Sequence, residues 1–88
     1  MINFDGQTIV VFVVNSLNTF ESDVAELIAK GYTIIEVTLR TDDAIDAIRI
    51  IKEKFPQVCV GAGTVSTLEQ LKMCMDVGAE FCVAPGLD

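Results

Sequence analysis

Apolar positions along this chain follow two alternating rhythms. Residues 8–14, Thr-Ile-Val-Val-Phe-Val-Val, are a nearly continuous apolar run, as expected of a strand buried on both faces. Leu17 to Lys30 then reads as a helix with Val24, Leu27 and Ile28 on one face. It opens on the polar pair Asn18-Thr19 and stops before Gly31, a residue suited to the C-cap. Residues 33–39 read as a second strand. Thr41-Asp42-Asp43 caps a second helix that runs to about Lys54, with Ile45, Ile48 and Ile51 inward. Phe55-Pro56 ends it, because proline disfavours the helical region for its predecessor. Residues 57–61 give a third strand. Ser66 starts a third helix in which Leu68, Leu71 and Met75 recur at helical spacing, and it ends near Gly78. Residues 80–84 give a fourth strand, followed by a Pro85-Gly86 turn.

The predicted order is β-α-β-α-β-α-β. Apolar strands alternating with amphipathic helices place the chain in the α/β class, with a parallel sheet. The tight repeat suits either a (β/α)8 barrel or a doubly wound sheet. A full barrel takes about 250 residues. The 88 residues here are therefore expected to form one partial-barrel domain over 1–88, at most half a barrel, with four strands and three helices. Its first and last strands would be open edges, and such edges invite pairing with another chain.

Composition adds to this picture. Half the sequence is hydrophobic (51%), and the mean hydropathy is +0.50. That is rich for so small a domain, and part of the apolar surface is expected to face another piece of protein. No apolar run approaches the roughly 20 residues that span a bilayer. Met1 to Gly6 lacks a basic segment, so no signal peptide and a cytoplasmic location are expected. The net charge is −7, and Lys30, Lys52, Lys54 and Lys72 are scattered, which argues against nucleic-acid binding. Cys59, Cys74 and Cys82 have no C-x-x-C spacing, and the chain has no histidine. No metal site or disulfide is expected, and the cysteines read as small buried apolar residues.

Candidate chemistry gathers at the C-terminal ends of the predicted strands, where parallel architectures build their sites. Within Gly31–Thr41, alternation puts Glu36, Thr38 and Arg40 on one face and Ile35, Val37 and Leu39 on the other. Glu36 suits a general acid/base, with its pKa raised by burial and lowered by Arg40. Arg40 suits forked hydrogen bonds to a substrate carboxylate. The alternative is a structural Glu–Arg pair with Thr41 capping the next helix. Val60-Gly61-Ala62-Gly63-Thr64-Val65 reads as a turn whose glycines let a ligand approach. There Thr64 and nearby N–H groups bind a carboxylate or keto oxygen, unless it is a plain turn. The third glycine of a dinucleotide fingerprint is lacking, and Asn15-Ser16-Leu17 after the first strand has no glycine at all. Ala84-Pro85-Gly86 reads as a site wall or as a strand-ending turn. Glu21, Asp23 and Glu26 suit a solvated helix face. Asp42, Asp43, Lys52 and Lys54 suit the dipole of the second helix. Met73, Met75 and Phe81 suit core or subunit interface.

Glu-Val-Thr-Leu-Arg-Thr at 36–41, Val-Gly-Ala-Gly-Thr-Val at 60–65 and Pro-Gly-Leu at 85–87, in this order and spacing, closely resemble one family. It is that of the 2-keto-3-deoxy-6-phosphogluconate (KDPG) and 4-hydroxy-2-oxoglutarate (KHG) aldolases. Asp46-Ala-Ile-Arg49 matches it as well, and the likeness runs from about Ile9 to Leu87. The resemblance implies a class I aldolase on a (β/α)8 barrel, commonly trimeric, without metal or organic cofactor. In such an enzyme a lysine forms a Schiff base with pyruvate and a glutamate moves protons. Carried over by position, Glu36 is that acid/base, Arg40 and Thr64 bind the pyruvyl carboxylate region, and Gly63 shapes the pocket. Thr38 and Pro85 complete the expected substrate-binding set.

Two departures stand out. Val10 occupies the position of the family's first-strand proline. The family's Schiff-base lysine belongs to a later strand and its phosphate site to the last loops of the barrel, and the four lysines here fall on predicted helices. The expected function is reversible cleavage of a 2-keto-3-deoxy (phospho)sugar acid or 4-hydroxy-2-oxoglutarate to pyruvate and an aldehyde, with little turnover by the isolated chain. Two alternatives are a non-catalytic half-barrel that self-associates, and a remnant that keeps pyruvate or phosphate affinity through Arg40, Gly63 and Thr64.

Overall fold

A computed structural model describes residues 2–4, 7–14, 17–40 and 43–84. Four strands form one sheet in sequence order: β1 (Ile2–Phe4), β2 (Gln7–Phe12), β3 (Ile34–Thr38) and β4 (Cys59–Gly63). β1 pairs antiparallel with β2, while β2–β3 and β3–β4 are parallel. Three helices alternate with the parallel strands: α1 (Leu17–Ala29), α2 (Asp43–Lys54) and α3 (Leu68–Asp76).

Glycines end two helices by the same device. After α1, the Tyr32 N–H donates to Leu27 O and the Gly31 N–H to Ile28 O, with Gly31 at φ 97°. After α3, the Ala79 N–H donates to Cys74 O and the Gly78 N–H to Met75 O, with Gly78 at φ 95°. These paired bonds satisfy carbonyls that a helix end otherwise leaves open, and they need a left-handed residue.

The core lies on one face of the sheet. Val14, Ile35, Val37, Val60 and Ala62 pack with Phe20 and Val24 of α1, with Ala44, Ala47, Ile48 and Ile51 of α2, and with Cys74 of α3. By strand alternation the opposite face carries Ile9, Val11, Ile34, Glu36, Thr38, Gly61 and Gly63. A doubly wound sheet reverses its strand order and covers both faces. Here consecutive parallel strands are neighbours and the helices share one face, which is the arrangement of a (β/α)8 barrel wall.

Several boundaries differ from the sequence reading. β1 was not foreseen. β3 and β4 occupy 34–38 and 59–63, so the Gly61-Ala62-Gly63 segment is strand and not turn. α3 begins at Leu68, with Thr67 as its N-cap accepting from the Gln70 N–H. The expected fourth strand is reduced to one parallel bridge, Ala62↔Cys82. Residues 80–83 nonetheless run along β4, through Glu80 N–H to Val60 O, Ala62 N–H to Phe81 O and Val83 N–H to Ala62 O.

The cysteines divide: Cys74 is buried, Cys59 half-buried and Cys82 exposed. The inward face of α3 is Leu71 and Cys74, whereas Leu68 and Met75 are exposed. The capping expected at Thr41-Asp42 and the Pro85-Gly86 turn fall outside the described residues. Among the described residues no helix is long and apolar enough to cross a membrane.

Candidate functional site

β3 is buried along its whole length, including its two polar residues. Glu36 and Thr38 each retain 7% exposure. Glu36 pairs in register with Val11 on one side and with Gly61 on the other. Its side chain reaches along the sheet toward the C-terminal end of β4. A Cβ placed on Gly63 would collide with Glu36 Oε2 and lie 2.8 Å from its Cδ. Gly63 is therefore the floor on which the carboxyl rests, and any side chain there would evict it. Gly61 has the same role for a different neighbour, because its missing side chain leaves room for the Phe81 ring. Two glycines inside one strand are costly in isolation. Here each receives a side chain from an adjacent strand or segment.

Burial holds the Glu36 carboxyl above its ordinary pKa of 4.5. Desolvation is the whole cause, since removing a carboxylate from water penalises its charged form. The lowering expected from Arg40 does not occur. Arg40 lies two residues beyond β3, exposed, and makes no ion pair among the described residues. A three-residue turn positions it, with the Arg40 N–H donating to Thr38 O at 2.9 Å. The neighbouring Leu39 N–H donates to Gly63 O at 2.8 Å, which ties the ends of β3 and β4 together. A structural Glu36–Arg40 pair is thus not formed. Glu36 is a buried acid with its pKa raised, and Arg40 is an exposed guanidinium at the rim.

Thr64 follows β4 directly, exposed, at φ 60°. A β-branched residue in the left-handed region is a genuine outlier, and such conformations cost on the order of 1–3 kcal/mol. The surrounding bonds hold it there: Val65 N–H donates to Val83 O at 3.0 Å, and Ser66 Oγ donates to Thr64 O at 3.3 Å. Ser66 N–H is itself taken by Gln70 Oε1 at 2.7 Å. The structure therefore brings Glu36, Thr38 and Gly63 together. It sets Arg40 and Thr64 beyond the same two strand ends. Pro85 lies outside the described residues.

The lysines lie elsewhere. Lys30 follows α1, Lys52 and Lys54 are on α2, and Lys72 is on α3. Lys30, Lys52 and Lys54 pair with Glu26, Glu80 and Glu21 respectively. Among the described residues no group of three or more His, Cys, Asp and Glu side chains is placed to hold a metal ion.

A parallel barrel wall with a buried acid, a rim arginine and a strained threonine at its strand ends has relatives. The family model for KDPG and KHG aldolases matches residues 4–88. The chain belongs to the KDPG and KHG aldolase family. The KHG/KDPG aldolase of Escherichia coli (strain K12) is 43% identical over 82 residues, covering 93% of this chain and 38% of that protein. Among solved structures, the 2-keto-3-deoxy-6-phospho-gluconate aldolase of Zymomonas mobilis ATCC 29191 is 39% identical with a TM-score of 0.83, over 91% of this chain and 38% of that one. The KDPG aldolase of Legionella pneumophila, with pyruvate captured at low pH as a covalent carbinolamine intermediate, is 38% identical with a TM-score of 0.85, over 91% of this chain and 39% of that one. The chain thus spans under two-fifths of the length of these aldolases, somewhat less than the half expected.

The sequence reading placed Phe81 in the core or an interface; the structure sets its half-buried ring in the space over Gly61 on the helix-free face. The signal was present in the Gly61–Gly63 spacing, which alternation assigns to one side of a strand.

Proposed function

We propose that this chain supplies the acid/base and the keto-acid-binding part of a class I aldolase site. The reaction is reversible cleavage of a 2-keto-3-deoxy (phospho)sugar acid or 4-hydroxy-2-oxoglutarate to pyruvate and an aldehyde. The observation that carries this reading is the Glu36 carboxyl, 7% exposed on the helix-free face, with its pKa raised and no countercharge beside it among the described residues. A carboxyl whose pKa is raised by burial holds its proton more tightly and is suited to give and take a proton as an acid/base. In a class I aldolase a lysine imine draws electrons from the breaking carbon–carbon bond, and an acid/base must then move a proton to or from the enamine carbon. Glu36 takes that role, Arg40 and Thr64 hold the carboxylate, and Gly63, Thr38 and Pro85 shape the pocket. The four lysines sit on or just after helices, so the chain alone is expected to form no imine and to turn over little substrate. Small keto acids, with no nucleic acid or membrane, are the partners in this reading, and the cytoplasm is the compartment.

Titrating the 88-residue chain with pyruvate, followed by amide NMR, tests the proposal. Shifts confined to Arg40, Thr64 and the ends of β3 and β4, lost in Arg40→Ala, are expected. Shifts elsewhere, or none up to millimolar pyruvate, would overturn it.

Exposed Val11, Val13 and Val83 favour a second reading, in which the helix-free face and the open sheet edges drive self-association. Sedimentation decides this point: a monomer with one cooperative unfolding transition rules self-association out, whether or not pyruvate binds.

A further inference from the structure

Two buried side-chain oxygens on β3 have no hydrogen-bond partner among the described residues: Glu36 Oε1 and Thr38 Oγ1. Their residues are two apart on one strand, so both project from the helix-free face. Both side chains are more than nine-tenths buried. A buried carboxyl is explained by acid/base chemistry, but a buried hydroxyl is not. Valine has the shape of threonine without the polar atom, and this sheet uses valine at positions 10, 11, 37 and 60. A hydroxyl shut away without a partner costs stability that valine would not. Thr38 pairs in register with Gly63, the residue whose missing side chain makes room for the Glu36 carboxyl. Thr38 and the Glu36 carboxyl thus flank the same glycine.

We propose that Glu36 Oε1 and Thr38 Oγ1 share one ordered water above Gly63, and that Thr38 is a positioning residue that fixes this water against the carboxyl. Buried waters occupy sites of this kind, where otherwise unsatisfied polar groups converge. The water serves both protonation states. It accepts from the Glu36 O–H when the acid is neutral. When the acid is ionised it donates one hydrogen to Oε1 and the other to Thr38 Oγ1. The ionised state depends on it more, so the water keeps Glu36 from being trapped as a permanent neutral acid. The water site rests on the two unpartnered buried oxygens and on the Thr38–Gly63 register; its use in proton transfer rests on the aldolase reading.

The test is carried out on the 88-residue chain with Thr38→Val and Thr38→Ser. Carbon-13 NMR follows the Glu36 carboxyl through pH, urea unfolding follows stability, and water-selective cross-relaxation is read at the Thr38 side chain. Thr38→Val is expected to raise the Glu36 midpoint by about half a unit or more and to lower the urea midpoint. Thr38→Ser is expected to restore both. An unmoved Glu36 midpoint with unchanged or increased stability in Thr38→Val would overturn the proposal. If Thr38→Val does not fold, the wild-type experiment decides: a water signal at Thr38 supports the proposal, and its absence overturns it. A water signal without pyruvate binding would sink the aldolase reading and leave the water site standing. Pyruvate binding without the signal would do the reverse.

Discussion

Gly63→Ala tests the packing at the centre of the site. The added Cβ would overlap Glu36 Oε2, at 2.8 Å from Cδ and 3.1 Å from Cγ. Cβ atoms do not sit so close to other heavy atoms, so the carboxyl must move. Overpacking of this kind costs about 1–3 kcal/mol. The colliding group is the end of a side chain and can swing away, so the lower half of that range, about 1–2 kcal/mol, is expected. For a domain of this size each kcal/mol lowers Tm by roughly 4–8 °C. The displaced carboxyl also regains water, so its pKa falls back toward 4.5. Urea unfolding of wild type, Gly63→Ala, Glu36→Ala and the double variant completes the cycle. Truncating Glu36 removes the atoms that collide, so the double variant is expected to lose less than the sum of the singles, with a coupling of about 1 kcal/mol. Additive losses, or a Gly63→Ala chain with an unmoved Glu36 titration, would refute the geometry.

Three further outcomes follow from the same residues. Glu36 binds its proton more tightly when folded than unfolded, so its contribution to stability is fully present below pH 4.5 and is lost as pH rises through the raised folded value. The stability of wild type minus that of Glu36→Gln, measured by urea unfolding across pH, should therefore fall with rising pH; a flat difference contradicts the burial. Thiol labelling of the native chain should modify exposed Cys82 first. Cys74 is buried, and burial followed by the hydrogen bond to Glu80 pushes Cys59 up to about 11, so equal labelling of all three would contradict the packing. Borohydride reduction with pyruvate, read by intact mass, should leave the chain unmodified; a stoichiometric adduct on Lys30, Lys52, Lys54 or Lys72 would show that a helix lysine supplies the amine.

The alternation of apolar runs was enough to read the parallel wall, because hydrophobic periodicity reports burial directly. Glu36 and Thr38 were legible for the same reason: polar residues in an otherwise apolar strand signal a site. Harder to see was the extent of β4, since Gly61 and Gly63 look like turn residues until the atoms above them, the Phe81 ring and the Glu36 carboxyl, are known. β1 escaped for lack of length, although Asp5-Gly6 between two apolar stretches is a recognised hairpin signal. Leu68 and Met75 have helical spacing, but spacing alone does not say which stripe of a short helix turns inward. On α3 that choice is made by Cys74, which fits against the sheet at 0% exposure. The absence of an Arg40 effect on Glu36 was equally invisible, because alternation gives a shared face and not the distance between two charges.

Burial makes the Glu36 carboxyl hold its proton more tightly than a solvent-exposed carboxyl does. Carbon-13 titration of the Glu36 side chain in the intact 88-residue protein measures this directly. A midpoint clearly above 4.5 is predicted. A midpoint at or below 4.5 would mean that Glu36 is solvated or paired, and its assignment as the acid/base of an aldolase site would be contradicted.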